Sequence, residues 1–288
     1  MAAIEKKVSG FRIVNAVLLI LAAVMCIIPF YYVIMVSLSD PLRVSEGKLI
    51  PYPQGFSLEA YYMIFRQRIF FTSLKNSVVR TVFGGAINLI LQCLTAYPLS
   101  QRRLRGRKRW MLMVIFTMLF NGGIIPTYLV VKLTGIVDTM WAMILPNAIS
   151  AWNVTILVNF FANIPDSISE SARIDGANDF VIFARLVVPL SIPSIAVIAL
   201  YIAVGHWNAL MDAVLYVNKT SLKPLQVYLM DLVMRNQMTD MVPDSSSNIT
   251  TLSLQTSAIF ASTLPILFVY PFVQKYFVQG VMIGAVKG

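Results

Sequence analysis

Glu170-Ser-Ala-Arg-Ile-Asp-Gly-Ala-Asn-Asp-Phe-Val-Ile-Phe-Ala-Arg-Leu-Val-Val-Pro189-Leu-Ser-Ile-Pro193 is a polar, turn-containing island in a chain that is otherwise mostly apolar. Asp166 or Ser167, just after Pro165, is placed to cap a short helix through Ile168, Glu170 and Arg173, and Gly176 to stop it. Asn178 or Asp179 can cap a second helix that carries Phe180, Phe183 and Leu186 toward Pro189. Ala172, Gly176 and Ala177 are small enough to admit another surface closely. Ile168, Ile174, Phe180 and Phe183 supply apolar knobs, and Glu170, Arg173, Asp175 and Asp179 ring them with charge. An apolar centre with a polar rim is the anatomy of a protein interface. The plainer reading is a connector lying among lipid headgroups.

Outward from the island the chain is built for a bilayer. Of its 288 residues 58% are hydrophobic and 12% charged, against roughly 25% charged in a soluble domain. Six runs approach the ~20 residues of a membrane span, at about 13–37, 76–100, 110–131, 140–162, 187–207 and 255–275. Pro29, Pro126, Pro146 and Pro265 fall inside them, which predicts kinked helices whose freed carbonyls are satisfied by neighbours. The expected fold is therefore all-α and integral to the membrane, with one domain over 1–288 and the island in a loop at about 163–190. The longer loop at about 38–75 is expected to carry short interfacial helices, and the one at about 208–254 to end in an exposed, mobile polar stretch at Asp244-Ser-Ser-Ser-Asn248.

Charge sets the orientation. The net charge is +10, and a large share lies in Arg102-Arg-Leu-Arg-Gly-Arg-Lys-Arg109 between two apolar runs. That block reads as a cytoplasmic anchor touching anionic lipid, with both termini inside, rather than as a nucleic-acid surface. Lys6, Lys7 and Arg12 precede an apolar run too long for a cleavable signal, so an uncleaved first helix is expected.

The chain shows no chemistry of its own. It has one His and two Cys, Cys26 and Cys93, both in apolar runs, with no metal-ligand spacing and no nucleophile–base set. Glu170, Asp175 and Asp179 read as a solvated face. The phosphate-cradling Gly-x4-Gly-Lys-Ser/Thr pattern is absent, so ATP is not hydrolysed by that route. An ion-coupled secondary sugar transporter is the main rival, but proton-coupled carriers usually hold an ionisable relay within the membrane. Arg80 and His206 are the candidates within the expected spans. A transporter without an energy site needs a partner, and the island is where one would bind.

The island resembles the Glu-Ala-Ala coupling loop of binding-protein-dependent ABC importer permeases. Glu170, Ala172, Asp175, Gly176, Ala177, Phe183, Pro189 and Pro193 fit the pattern, with Ser171 for one alanine and Val188 for the leucine. Asn121-Gly-Gly-Ile-Ile-Pro-Thr-Tyr128, Leu133-Thr-Gly-Ile-Val-Asp138, Trp141-Ala-Met-Ile-Leu-Pro146, Gly205-His-Trp-Asn208 and Gly280-Val-Met-Ile-Gly-Ala-Val-Lys287 are similar to carbohydrate-type permeases, most of all the branch for aldouronates and complex polysaccharide fragments. The resemblance implies six transmembrane helices of the type I architecture, N-in and C-in, in a prokaryotic plasma membrane. It implies a heterodimer with a second, homologous permease, two cytoplasmic ATPase subunits that carry ATP and Mg, and an extracytoplasmic solute-binding protein. ATPase coupling then falls to Glu170, Ala172, Asp175, Gly176, Ala177, Phe180 and Phe183. For the oligosaccharide path the candidates are Arg80, Trp152, Asn153, Asn159, His206, Trp207 and Asn208, with Arg80 or His206 facing a uronate, unless Arg80 snorkels to headgroups and Trp207 sits in the interfacial belt.

Overall fold

The computed structural model describes residues 10–44, 51–239 and 251–285. Lys6, Lys7, the 240–248 stretch and the end of the 280–287 motif lie outside them. Among the described residues the chain is helical, apart from one isolated bridge between Ser39 and Phe56. It divides into two compact units, 1–67 with 231–264, and 68–230 with 265–288.

In the first unit α1 (Gly10–Ser37) is long, apolar and exposed along most of its length, as a helix facing lipid is. It ends at a small polar knot. Tyr61, on α2 (Glu59–Arg66), donates to Ser37 Oγ at 2.7 Å, and Ser257 donates to the Ser37 carbonyl at 3.3 Å. The Tyr61 ring meets Phe260 edge-on at 6.5 Å. Burial pushes the Tyr61 phenol up from its usual range.

The second unit opens with α3 (Arg68–Ser100), one helix of 33 residues, about 50 Å long. The sequence suggested a start near 76. The helix begins at Arg68, so the preceding loop is shorter than expected. A wide turn at Arg80–Gly84 interrupts its regular winding. There a Cβ on Gly84 would lie 2.9 Å from Ile144 Cγ1, which leaves room only for glycine.

The expected third span is broken. α4 (Arg107–Leu119) and α5 (Ile124–Leu133) meet at 113°. Asn121 Oδ1 accepts from the Gly123 N–H at 2.8 Å and Gly123 takes φ +86°, so Asn121-Gly-Gly forms its own turn instead of continuing the helix. The expected span at 140–162 is likewise not one helix. A 3₁₀ turn at Met140–Met143 runs into Pro146, outside any helix, and α6 (Ala151–Ala162) covers 12 residues, about 18 Å. The Ser150 side chain caps α6, accepting from Asn153 N at 3.4 Å.

α7 (Asp166–Ile174) follows, then α8 (Asp179–Leu190), which bends by 85° into α9 (Ile192–Asn208) at Ser191, with Pro193 in the first turn of α9. Among its described residues the 208–254 loop is largely helical: α10 (Met211–Tyr216), then α11 (Leu225–Thr239). α12 (Thr251–Ala285) closes the chain and contains Pro265 and Pro271. Among the described residues two helices are long and apolar enough to cross a membrane, or up to four if each bent pair is one span.

The core of this unit is where α3, α6, α8 and α9 meet. Cys93, Ala96, Tyr97 and Leu99 pack against Val154, Leu157, Val158 and Phe161, with Ile182, Phe183 and Val187 and with Ile198 and Ile202. Cys93 is buried there, whereas Cys26 is exposed on α1.

Two predictions follow from this packing. Gly84→Ala forces a methyl against Ile144 and is expected to cost about 1–3 kcal/mol, read as a lowered Tm of the detergent-solubilised protein; an unchanged Tm would show that α3 and Ile144 are not in contact. Asp138, at φ +60°, accepts from the backbone N–H groups of Asn218 and Lys219. These donors, Asn218 first, hold its carboxyl below the usual ~3.9. The tie is therefore present above that range and lost as pH falls through the lowered value. The ¹⁵N shifts of Asn218 and Lys219 should titrate below pH ~3.9, and titration at or above it would mean that the bonds do not form.

Candidate functional site

The island is a rigid helix–turn–helix. Asp166 is the first residue of α7 and no side chain caps it; Pro165 holds the capping position, so the expected Asp166 or Ser167 cap does not form. The other end matches the reading. Gly176 adopts φ +84°, its N–H donates to the Arg173 carbonyl at 3.0 Å, and the Ala177 N–H reaches back to Ala172 O at 2.9 Å. These paired bonds satisfy two carbonyls that the helix end leaves open. Asn178 then caps α8, accepting from Val181 N at 2.9 Å.

Three apolar knobs stand in the open, Ile174 at 87% exposure, Phe180 at 69% and, less so, Ile168, with Glu170 and Asp175 also exposed. Phe183 does not join them. It is buried against Tyr97, ring centroids 5.0 Å apart, so it anchors the island to the core. Ala172 and Ala177 pack partly on the same core.

The sequence missed what braces the island. Asp179 pairs with Arg103 and, at 3.5 Å, with Arg173, while Arg102 approaches Asp166 at 4.0 Å. The basic block is thus more than an anchor for orientation. A groove of about 530 Å3 runs between the two segments, lined by Tyr97, Pro98, Arg103, Arg105, Phe180 and Phe183. No sequence signal ties residues 76 positions apart.

A second polar centre forms around Arg80, which is 2% exposed and does not snorkel. Its guanidinium donates to Met143 O at 3.1 Å, Ala209 O at 3.3 Å and His206 Nδ1 at 3.3 Å, and forms an ion pair with Asp212. His206 Nε2 lies 2.9 Å from the Asn88 amide, and Gln92 donates to Ala148 O at 2.9 Å. These groups surround a cavity of about 280 Å3, which Asn147, Ser150, Asn153 and Tyr201 also line. Of the expected path residues the structure therefore gathers Arg80, Asn153 and His206. Trp152, Asn159 and Asn208 are exposed elsewhere, and Trp207 is buried rather than set in an exposed belt. Asn88, Gln92 and Asp212 were missed. Asn88 and Gln92 carried a legible sign, two amides four residues apart on one face of an apolar helix. Among the described residues no group of His, Cys, Asp and Glu could hold a metal ion.

The pair predicts an asymmetry. Asp212→Leu alone strands the Arg80 charge and is expected to cost about 3–5 kcal/mol, while Arg80→Met with Asp212→Leu is close to neutral. Thermal unfolding of both variants checks this; equal losses would mean that the pair is not buried as described.

No protein-family model matches the chain. It is 46% identical to the polygalacturonan/rhamnogalacturonan transport system permease protein YtcP of Bacillus subtilis (strain 168), over 94% of this chain and 96% of that protein. It is 40% identical to protein LplC of the same strain, over 96% of this chain and 95% of the other. Among solved structures it superposes with a TM-score of 0.86 on a chain of a bacterial ABC transporter involved in the import of the acidic polysaccharide alginate. That match has 32% identity and covers 96% of this chain and 100% of that one.

Proposed function

The chain belongs to the permease subunits of carbohydrate ABC importers, and from that premise we propose that it translocates oligosaccharides, uronate-containing ones included, delivered by an extracytoplasmic solute-binding protein. It is a membrane protein and not itself an enzyme. In this reading one permease domain over 1–288 pairs with a second, homologous permease, and two cytoplasmic ATPase subunits, holding ATP and Mg, supply the energy. The substrate class is supported by the two relatives named for acidic polysaccharides, polygalacturonan/rhamnogalacturonan and alginate. Six spans with both termini inside fit the charge distribution, with α4 and α5 counted as one broken span and α6 as part of another.

The observation that carries the mechanism is the exposed, braced turn at Gly176. A lever must be stiff and must offer a surface. The paired bonds at Gly176 and the Asn178 cap give stiffness, and Ile174, Phe180, Glu170 and Asp175 give the surface. Phe183, Ala172 and Ala177 connect it to α3, α6 and α9. We place the ATPase on that surface. Closure of the ATPase dimer then moves α7 and α8, and the motion passes through the core to the helices around the Arg80 cavity, where Arg80, Asn153 and His206 line the sugar path. Trp152, Asn159 and Asn208 stay in the proposed path as exposed residues that another part of the assembly can meet, and Trp207 as a buried neighbour of His206.

Gly176→Val strains a left-handed residue by about 1–2 kcal/mol without filling any space. It is expected to leave membrane insertion intact and to cut transport at least tenfold, while ATP hydrolysis no longer follows substrate. Transport at the wild-type rate would remove Gly176 from the coupling. Purification in mild detergent should bring down an ATPase and a second permease by mass spectrometry; a lone homo-oligomer would overturn the assembly.

A further inference from the structure

The Arg80 cavity has an electrical and a hydrogen-bonding character that its residue names do not reveal. Among the described residues its only lining cation is Arg80, and that charge is already matched by Asp212 inside the same cavity. The remaining polar lining is uncharged: amides, hydroxyls and His206. Arg80 Nε can only donate, so His206 Nδ1 accepts and the ring's proton sits on Nε2. Nε2 therefore donates to Asn88, whose amide must turn its oxygen to the ring and its amino end away. Gln92 is fixed by its bond to Ala148 O, which leaves its oxygen as an acceptor. Asn88 is 3% and Gln92 1% exposed, and each keeps one amide atom without a partner among the described residues. A buried, unsatisfied amide atom is costly until a ligand or water meets it.

One donor and one acceptor, four residues apart on one helix face, suit a hydroxyl group, which both gives and takes a hydrogen bond. A carboxylate only accepts. It cannot satisfy Gln92, and it meets a neutral Arg80–Asp212 pair rather than a free charge. At about 280 Å3 the cavity lies at the small end of the roughly 300–1,000 Å3 of ligand sites, room for one sugar unit.

We propose that this cavity is a subsite for a single sugar unit that recognises hydroxyl groups and is blind to carboxylate charge, and that Asp212 is the residue that makes it so by masking Arg80. The inference rests on the oligosaccharide-import reading above. Selection for acidic chains then lies elsewhere in the assembly.

The test uses the assembled importer in proteoliposomes, with trigalacturonate and its fully methyl-esterified form, equal in length and different in charge. The readout is the ratio of the two uptake rates. Arg80→Met with Asp212→Leu removes both charges and should keep the ratio within twofold of wild type. Asp212→Asn unmasks Arg80 and should raise it about tenfold in favour of the charged form. Gln92→Leu should lower uptake of both compounds by the same factor, about tenfold. Selective loss of the charged compound in the double variant would overturn the proposal, because Arg80 would then be reading the carboxylate. Unchanged uptake in Gln92→Leu would overturn it too, the cavity then holding only water. If Asp212→Asn fails to assemble, the other two variants still decide. Import of neither compound by the wild-type assembly overturns the oligosaccharide reading itself, and this subsite with it.

Discussion

A guanidinium cannot be taken out of water unless its charge and its donors are met, and the second unit is organised around meeting those of Arg80. The residue sits in the middle of the long helix α3. Its partners come from the Met140–Met143 turn, from the end of α9, from Ala209 and from α10. Apart from α9, none of these segments is a long helix that would hold its place unaided. Two further ties repeat the arrangement along α3. Asn76 donates to Ser221 O at 2.8 Å, and Ser77 Oγ accepts from Leu225 N at 2.8 Å. One face of α3 thus acts as the template on which a succession of short, irregular segments is fixed.

That dependence explains what the sequence disclosed and what it withheld. Features set within a few residues were legible. The Gly176 stop and the Asn178 cap follow from local bonding that any chain with those residues would make. The span boundaries were less legible because apolar content was taken as helix. Asn121-Gly-Gly and Pro146 are breakers that outweigh the hydrophobicity around them, and hydropathy alone does not register a turn. The partner of Arg80 was not legible at all. Asp212 lies 132 positions away on a short helix in what reads as a loop, and only the fold brings it to α3.

The island shows the same division. Its shape is local, but its setting is not. The brace from Arg102 and Arg103 and the anchor of Phe183 on Tyr97 join the turn to the end of α3 and the segment just after it. Exposed ion pairs of this kind add little stability, typically below about 1 kcal/mol each. Their effect is on orientation: they define the angle at which Ile174 and Phe180 are presented.

The wide turn at Arg80–Gly84 has a further consequence, for chain length. It takes up one more residue than a regular turn, so the part of α3 before it is rotated by about 100° relative to an unbroken helix. Counting at about 100° per residue, Arg80 and Asn88 would sit some 80° apart on a straight helix; with the extra residue absorbed they come within about 20°. The alignment of the cation with the two amides is thus a matter of phase. A one-residue deletion in this turn would let α3 wind regularly and keep the cation and the amides in phase, whereas a one-residue insertion there would preserve every side chain around the cavity and still dismantle it.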